Sequence, residues 1–171
     1  MRKLKLSLAC SLDGYIAGVD GSFDWIRMDA DYGMEAFLAA VDTALIGRKT
    51  FEMARSVGRP FFSSMENYVF SKSLPAGRDG EVEVVGEDAG VFVRVLKQRE
   101  GKDLWLFGGQ GLAASLLIAG EVDEVTRAVQ PILLGEGLRL FPVMGERTAL
   151  EMLECTSYKN GVAVLRYAVR R

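Results

Sequence analysis

Residues 104–112 limit the architectures open to this chain more than any other stretch. Leu104-Trp105-Leu106-Phe107 is a run of bulky apolar side chains, the mark of a strand buried on both faces. It runs straight into Gly108-Gly109-Gln110-Gly111. Residues 112–119 then place Leu112, Leu116 and Ala119 on one face of a helix. Gly120 stands where a left-handed residue would end that helix. A strand, a glycine turn and a helix N-terminus in that order belong to an α/β sheet. Free amides and the helix dipole at such a junction favour an anion, and bare glycines let a phosphate approach the backbone. The same glycines also serve a tight turn with no ligand, and the local pattern leaves both readings open.

The rest of the chain repeats the alternation. Leu4, Leu6 and Leu8 alternate with Lys3, Lys5 and Ser7, which predicts a strand over residues 3–10. Asp13-Gly14 is turn chemistry. Residues 18–33 gather Asp20, Asp24, Asp29 and Asp31 around Phe23, Trp25 and Ile26, a long loop of the kind that often carries function. Trp25 either plugs a core edge or touches a ligand. Met34, Phe37, Leu38 and Val41 follow helical spacing. Residues 43–47 read as a short buried strand, Arg48-Lys49-Thr50 as a junction and residues 51–55 as a helix. Residues 58–64 read as a loop. Residues 68–70 and 82–85 read as strands, with a turn marked by Pro75 and Gly77 between them. Asp88 is placed to cap a helix over 89–99 with Phe92, Val95 and Leu96 inward.

Residues 122–132 are rich in β-branched side chains and predict a strand that leads into a loop at 133–137, and Phe141-Pro142 ends that loop region. Residues 149–158 and 162–169 read as strands joined around Lys159-Asn160-Gly161, and Asn-Gly between apolar runs is a strong hairpin signal. The pattern implies one three-layer α/β domain over residues 1–171. Its central sheet is mixed and mostly parallel, flanked by helices, and ends in a C-terminal β-hairpin.

Composition removes several classes of chemistry. The chain has no histidine, so it holds no Ser-His or Cys-His pair and no imidazole metal ligand or base. Its two cysteines, Cys10 and Cys155, lack metal-ligand spacing and read as small buried residues, so no metal is expected. A net charge of -2 without a basic tract gives no nucleic-acid surface. No apolar run reaches the roughly 18 residues that cross a bilayer. Met1-Arg2-Lys3-Leu4-Lys5 interrupts any signal-peptide core, and a cytoplasmic location is expected.

Three predicted strands end in small, hydroxyl-bearing or cationic residues: Gly47-Arg48-Lys49-Thr50, Ser71-Lys72-Ser73 and Gly108-Gly109-Gln110-Gly111. Ligands of open parallel sheets sit beyond the carboxyl ends of the strands. Cations, hydroxyls and bare amides there suit a dinucleotide with a 2′-phosphate, while the opposing reading leaves Arg48, Lys49 and Lys72 as solvated charges. Two familiar phosphate motifs do not fit. A P-loop needs a glycine where Asp42 stands and a lysine where Arg48 stands. Gly109-Gln110-Gly111-Leu112-Ala113-Ala114 matches a loose Rossmann fingerprint but lies late in the chain, with no clean strand-ending acid about 20 residues on.

Taken together, Ser11-Leu12-Asp13-Gly14-Tyr15-Ile16-Ala17, Asp24-Trp25, Leu45-Ile46-Gly47-Arg48-Lys49-Thr50-Phe51-Glu52, Phe107-Gly108-Gly109-Gln110-Gly111 and Pro131-Ile132-Leu133-Leu134-Gly135-Glu136-Gly137 resemble the dihydrofolate-reductase-like family. The branch they resemble most contains the reductase domain of the bacterial bifunctional riboflavin-biosynthesis deaminase-reductase. The resemblance implies a twisted mixed sheet of about eight strands, NADPH as hydride donor, a small heterocyclic substrate and a homodimer. It implies that Gly47, Arg48, Lys49 and Thr50 hold the cofactor's phosphates, that Ser71 and Lys72 flank the adenosine end, and that Gly108, Gly109, Gln110, Gly111 and Leu112 cradle the pyrophosphate. In the family a cis peptide tends to join the glycines equivalent to Gly108 and Gly109. Ala9, Ile16 and Ala17 would line the nicotinamide; Asp13 and Trp25 would border the substrate. The deaminase half is absent from this sequence. The acid that protonates the pterin in dihydrofolate reductases has Asp31 as its nearest counterpart, with Asp29 and Glu35 close by. A nucleotide-binding protein of the same fold without turnover is the competing functional reading.

Overall fold

The computed structural model describes residues 1–56, 58, 62–141, 145 and 147–170. In chain order the elements are β1 (Leu4–Ser11), β2 (Tyr15–Ala17), α1 (Met34–Ala39), β3 (Val41–Gly47), α2 (Arg48–Ser56), β4 (Glu66–Phe70), β5 (Gly77–Asp79), β6 (Val82–Val85), α3 (Ala89–Leu96), β7 (Asp103–Gly108), α4 (Gln110–Ile118), β8 (Glu124–Gln130), β9 (Leu138–Arg139), β10 (Leu150–Ser157) and β11 (Ala163–Val169). Nine strands form one sheet in the order β10-β11-β8-β1-β7-β3-β4-β6-β5. The six from β8 to β6 run parallel, the C-terminal hairpin β10–β11 pairs antiparallel at one end, and β5 pairs antiparallel at the other. The expected mostly parallel sheet with a C-terminal hairpin is what the chain forms.

Burial explains the order. Ala44, Leu45 and Ile46 in β3 and Leu104 and Leu106 in β7 have no exposed surface, as central parallel strands covered on both faces require. One face packs Leu4, Leu6, Leu45, Leu104 and Leu106 against Val93 and Leu96 of α3 and Leu116 of α4. The other packs Ala44, Ile46 and Val69 against Phe51 of α2. On β7, Trp105 meets Phe37 of α1 edge-on at 5.3 Å, and Phe62 and Phe107 at 4.8 Å. Helices therefore cover both faces, giving three layers.

Several local expectations shift. Helix α2 starts directly on Arg48, so the supposed junction is its first turn. Helix α1 stops at Ala39 and buries no residue; Val41 belongs to β3. In α3 Gly90, Val93 and Leu96 are buried and Phe92 packs partly buried against the same core, as expected of Phe92 and Leu96, while Val95 is 54% exposed and the helix ends at Leu96 rather than residue 99. In α4 the buried set is Ala113, Ala114, Leu116 and Leu117, and Ala119 faces solvent. Its predicted end holds: Gly120 has φ 69°, with its amide bonded to the Leu117 carbonyl and that of Glu121 to Leu116. Asp88 caps α3 through the Val91 amide at 3.0 Å.

Short strands β2, β5 and β9 were not expected; Gly77, read as a turn, opens β5. Two or three residues are too few to show a period of two. Cys10 is buried, and burial pushes its thiol up. Cys155 is exposed, because β10 is the sheet's edge strand. β11 lies between β8 and β10, so the edge belongs to β10. Pro142 and residues 59–61 of the expected 58–64 loop lie outside the described residues. Among the described residues no helix is long and apolar enough to cross a membrane, and no group of three or more acids or cysteines is placed to hold a metal.

Candidate functional site

The carboxyl ends of β4, β3 and β7 lie side by side, because these parallel strands are neighbours in the sheet. Two of those ends touch through main chain alone. A Cβ on Gly47 would lie 3.0 Å from the Gly109 Cα and 3.2 Å from the Gly108 carbonyl oxygen. One on Gly109 would lie 2.9 Å from the Gly47 Cα, and Gly109 also has φ 103°, a conformation that side chains oppose. Thr50 packs beside Gly108, with its hydroxyl 3.4 Å from where a Cβ would be, and Leu112 closes the other side. Gly47, Thr50, Gly108, Gly109 and Leu112 are thus brought together. The cis link expected between Gly108 and Gly109 is not found: the described residues contain no cis peptide, and the turn is made by the positive φ of Gly109.

Two helix N-termini converge on this contact. Gln110, Gly111 and Leu112 form the first turn of α4, ahead of the backbone bond from the Ala113 amide to the Gly109 carbonyl, and no side chain caps them. Space around Gly111 is open: a Cβ there would meet no atom within 4 Å. The first turn of α2 holds two cations, Arg48 and Lys49, and no acid. The helix dipole opposes cations there, so these residues weaken α2 unless an anion lies between them and the amides. Arg48 bonds Glu52 of its own helix at 2.7 and 2.8 Å. Lys49 and Lys72 are exposed and have no ion pair among the described residues. Ser71 is buried and its hydroxyl accepts from the Ser73 and Leu74 amides at 3.2 and 3.0 Å, so that hydroxyl shapes its own loop.

On the far side of β7, β1 leads into a tied-down turn. The Asp13 carboxylate accepts from the Ser11 hydroxyl at 2.6 Å and from the Leu134 and Gly135 amides at 3.2 and 2.8 Å. The Ser11 hydroxyl above all, with those two amides, holds the Asp13 carboxyl below its ordinary value. The carboxylate expected at the substrate fastens the 133–137 loop to the β1–β2 turn. Ile16 and Ala17 lie on β2, which pairs with β9 just beyond that loop. Gly137 has φ 151°, and any Cβ there would run into the Ala17 carbonyl, so the glycine permits the crossing.

A cavity of about 260 Å³ opens between β1, β8 and the loop ahead of α1. Ala9 of β1, Ala128 and Gln130 of β8, and Ile26, Met28 and Asp31 of the loop are among its walls. Asp31 lines it, whereas Asp29 bonds the Tyr32 hydroxyl and the Asn160 amide group. One Asp31 oxygen accepts from the Glu35 amide at 2.9 Å. Trp25 is not in the wall; its indole donates to the Ser22 carbonyl at 3.3 Å and braces the loop from within. Sequence reasoning missed Tyr32, Thr126 and Gln130 as lining residues. Gln130 left no local clue, since β8 also carries Glu124, Thr126 and Arg127; it is buried and its side-chain carbonyl accepts from the Arg27 amide at 3.0 Å. A larger recess, about 580 Å³, lies at the opposite edge of the sheet and contains none of the expected site residues; its Arg2 and Asp42 pair with each other.

The family model described as the RibD C-terminal domain matches residues 2–164. The uncharacterized protein YyaP of Bacillus subtilis (strain 168) is 33% identical, with 97% of this chain and 94% of that protein covered. A solved structure from Shewanella sp. PV-4, provisionally assigned to riboflavin biosynthesis, superposes over 100% of both chains with a TM-score of 0.86 at 24% identity. The Thermotoga maritima diaminohydroxyphosphoribosylaminopyrimidine deaminase/5-amino-6-(5-phosphoribosylamino)uracil reductase aligns with 99% of this chain and 57% of its own length, TM-score 0.75 at 17% identity. Enterococcus faecalis dihydrofolate reductase, solved with NADP(H), aligns with 99% of this chain and 97% of its own, TM-score 0.72 at 19% identity. The fold is that of dihydrofolate reductase.

Proposed function

The chain belongs to the RibD C-terminal domain family, and we propose that it is an NADPH-dependent reductase of a small heterocycle, of pterin or aminopyrimidine type as in riboflavin biosynthesis. The observation that carries this reading is the main-chain contact between Gly47 and Gly109 at the N-termini of α2 and α4. It joins two cations to a turn of uncapped amides, a donor set that fits a dinucleotide carrying an additional phosphate. The family and the reductases that share its fold support the same class of reaction.

Under this reading Gly108, Gly109, Gln110, Gly111 and Leu112 offer backbone to the pyrophosphate. Arg48 or Lys49 takes the 2′-phosphate beside Gly47 and Thr50. Ser71 and Lys72 border the adenosine end, and Ala9, Ile16 and Ala17 the nicotinamide, whose chemistry is hydride donation. Ala9 also lines the cavity, so the same strand serves cofactor and substrate. The mostly apolar walls exclude water and orient a flat ring. Asp31 holds the proton that balances the hydride, through the carboxylate oxygen not engaged by the Glu35 amide. A homodimer fits as well: Leu150, Met152 and Leu153 on the edge strand β10 are 46, 53 and 44% exposed, and a second copy would cover them.

The test is NADPH oxidation against a panel of pterins, aminouracils and simple carbonyls, paired with calorimetric binding. Turnover of a pterin or aminopyrimidine is expected. Tight binding without turnover across the panel would favour a nucleotide-binding protein, and no binding would overturn the assignment.

A further inference from the structure

Tyr32 has φ 54°, the only positive value among described residues other than glycine. A bulky side chain rarely sits there, and such strain persists where surrounding contacts over-determine it. The contacts are present. The Tyr32 hydroxyl donates to the Asp29 carboxylate at 2.5 Å and accepts from the Asn160 side-chain amide at 2.5 Å. The same Asn160 amide donates to Asp29 at 2.8 Å, closing a triangle. The Tyr32 ring meets Tyr158 edge-on, with centroids 4.9 Å apart. Every one of these ties runs inside the 29–32 segment or from it to the turn of the β10–β11 hairpin, more than a hundred residues away in sequence.

The location matters as much as the bonds. Tyr32 lines the cavity, and so does Asp31 immediately before it. Gly33 follows with φ 79°, so two successive left-handed residues turn the loop sharply into α1. That helix buries none of its residues, and core packing therefore holds this wall weakly. Asn160 is itself held: its carbonyl oxygen accepts from the Val162 amide at 3.2 Å, and Gly161 at φ 90° completes the turn.

We propose that Tyr32, latched to Asn160 and Tyr158 of the hairpin turn, is the positioning residue that holds the 26–34 wall of the cavity against the substrate. The inference rests on the reductase reading for its kinetic consequence but not for its structural one. Loss of the latch loosens the wall and weakens substrate binding, while the phosphate-binding turns at the other strand ends are untouched.

Two variants test it. Tyr32→Phe keeps the ring against Tyr158 and removes the hydroxyl; Asn160→Ala removes the other side of the latch. Each is expected to speed amide exchange in residues 26–34 about tenfold, the cost of one hydrogen bond, and to raise substrate KM about tenfold. kcat is expected within about twofold and NADPH affinity unchanged, and the double variant is expected to fall short of the sum of the two, because each single variant already removes the Tyr32–Asn160 bond. A merely structural role would lower the melting temperature and leave KM in place. Unchanged exchange in 26–34, or effects of the two variants that add, would overturn the latch. If no substrate is turned over, the exchange measurement still decides the latch, and only the reductase reading fails.

Discussion

The two edges of the central sheet use charge in opposite ways. At the amino-terminal edge the charges pair with one another. Arg2 meets Asp42, Lys3 meets Glu124 at 2.8 Å, Lys5 meets Asp103 at 2.8 Å, and Arg94 meets Glu121 at 2.9 Å. Lys97, only 2% exposed, reaches Asp123 at 2.5 Å and the Glu121 carbonyl at 2.6 Å. At the carboxyl edge Arg48 has only a neighbour on its own helix, and Lys49 and Lys72 have no ion pair among the described residues. The amides of α4 there lack a side-chain cap. Folding pairs the charges of one edge with one another and leaves Lys49 and Lys72 at the other exposed and without an ion pair among the described residues.

The contrast is most vulnerable at Gly109. Gly109→Val puts a β-branched side chain at φ 103° and against the Gly47 main chain, and is expected to weaken NADPH at least about a hundredfold, the loss of two charge-assisted contacts. Calorimetry measures the loss, and circular dichroism shows whether the sheet persists. Unmodified affinity would make the glycine turn purely structural. At the other edge, Lys97→Met removes the buried ammonium that reaches Asp123 and the Glu121 carbonyl, while Arg94 still pairs with Glu121. Chemical denaturation is expected to show about 3–5 kcal/mol lost, with NADPH affinity unchanged. A variant as stable as the parent would mean that the amino-edge charges are not structural.

Two smaller effects probe the same division. Gly111 is helical and open to solvent, so Gly111→Ala is expected to stabilise by up to about 1 kcal/mol. It should also cost about tenfold in NADPH affinity if a phosphate approaches that backbone. A gain in both stability and affinity would move the phosphate elsewhere. The Asp13 clamp gives the smallest effect. Its carboxyl is lowered in the folded state, so its contribution is present above the unfolded carboxylate value, about 3.9, and is lost as pH falls through the folded one. Protection of the 133–137 amides relative to their intrinsic exchange should therefore fall at acid pH, and Asp13→Asn should show that lower protection already at neutral pH. A loop indifferent to both changes would remove the clamp.

What the sequence made legible follows from how each part is built. The glycine turns were readable because backbone makes them, and only glycine serves at Gly109. Strands β3 and β7 were readable from continuous apolar runs, and the hairpin from Asn160-Gly161. Val95 and Ala119 were misplaced because apolar residues lie on several faces of α3 and α4, and packing on the sheet rather than local spacing selects Val93 with Leu96 and Ala113 with Leu116 and Leu117 as the buried ones. Strands β2 and β9 hold three and two residues, and pairing with each other gives them their structure rather than any local pattern. The cavity was the least legible part, since its walls come from β1, the 26–34 loop, β8 and Val164 of β11. Asp31 is the nearest counterpart by resemblance; that it lines the cavity while Asp29 is held by Tyr32 and Asn160 follows from contacts that no local spacing encodes.

Everything proposed for the carboxyl edge depends on Arg48 and Lys49, beside the Gly47–Gly109 contact, reading a 2′-phosphate. Isothermal titration of NADPH and NADH into the unmodified protein and into a combined Arg48→Ala and Lys49→Ala variant decides it. NADPH is expected to bind about a hundredfold tighter than NADH in the unmodified protein, since each charged phosphate contact is worth about 1.5–3 kcal/mol. In the variant the two cofactors should bind alike, at the level of NADH. Equal affinities in the unmodified protein, or a preference that survives in the variant, would contradict this role.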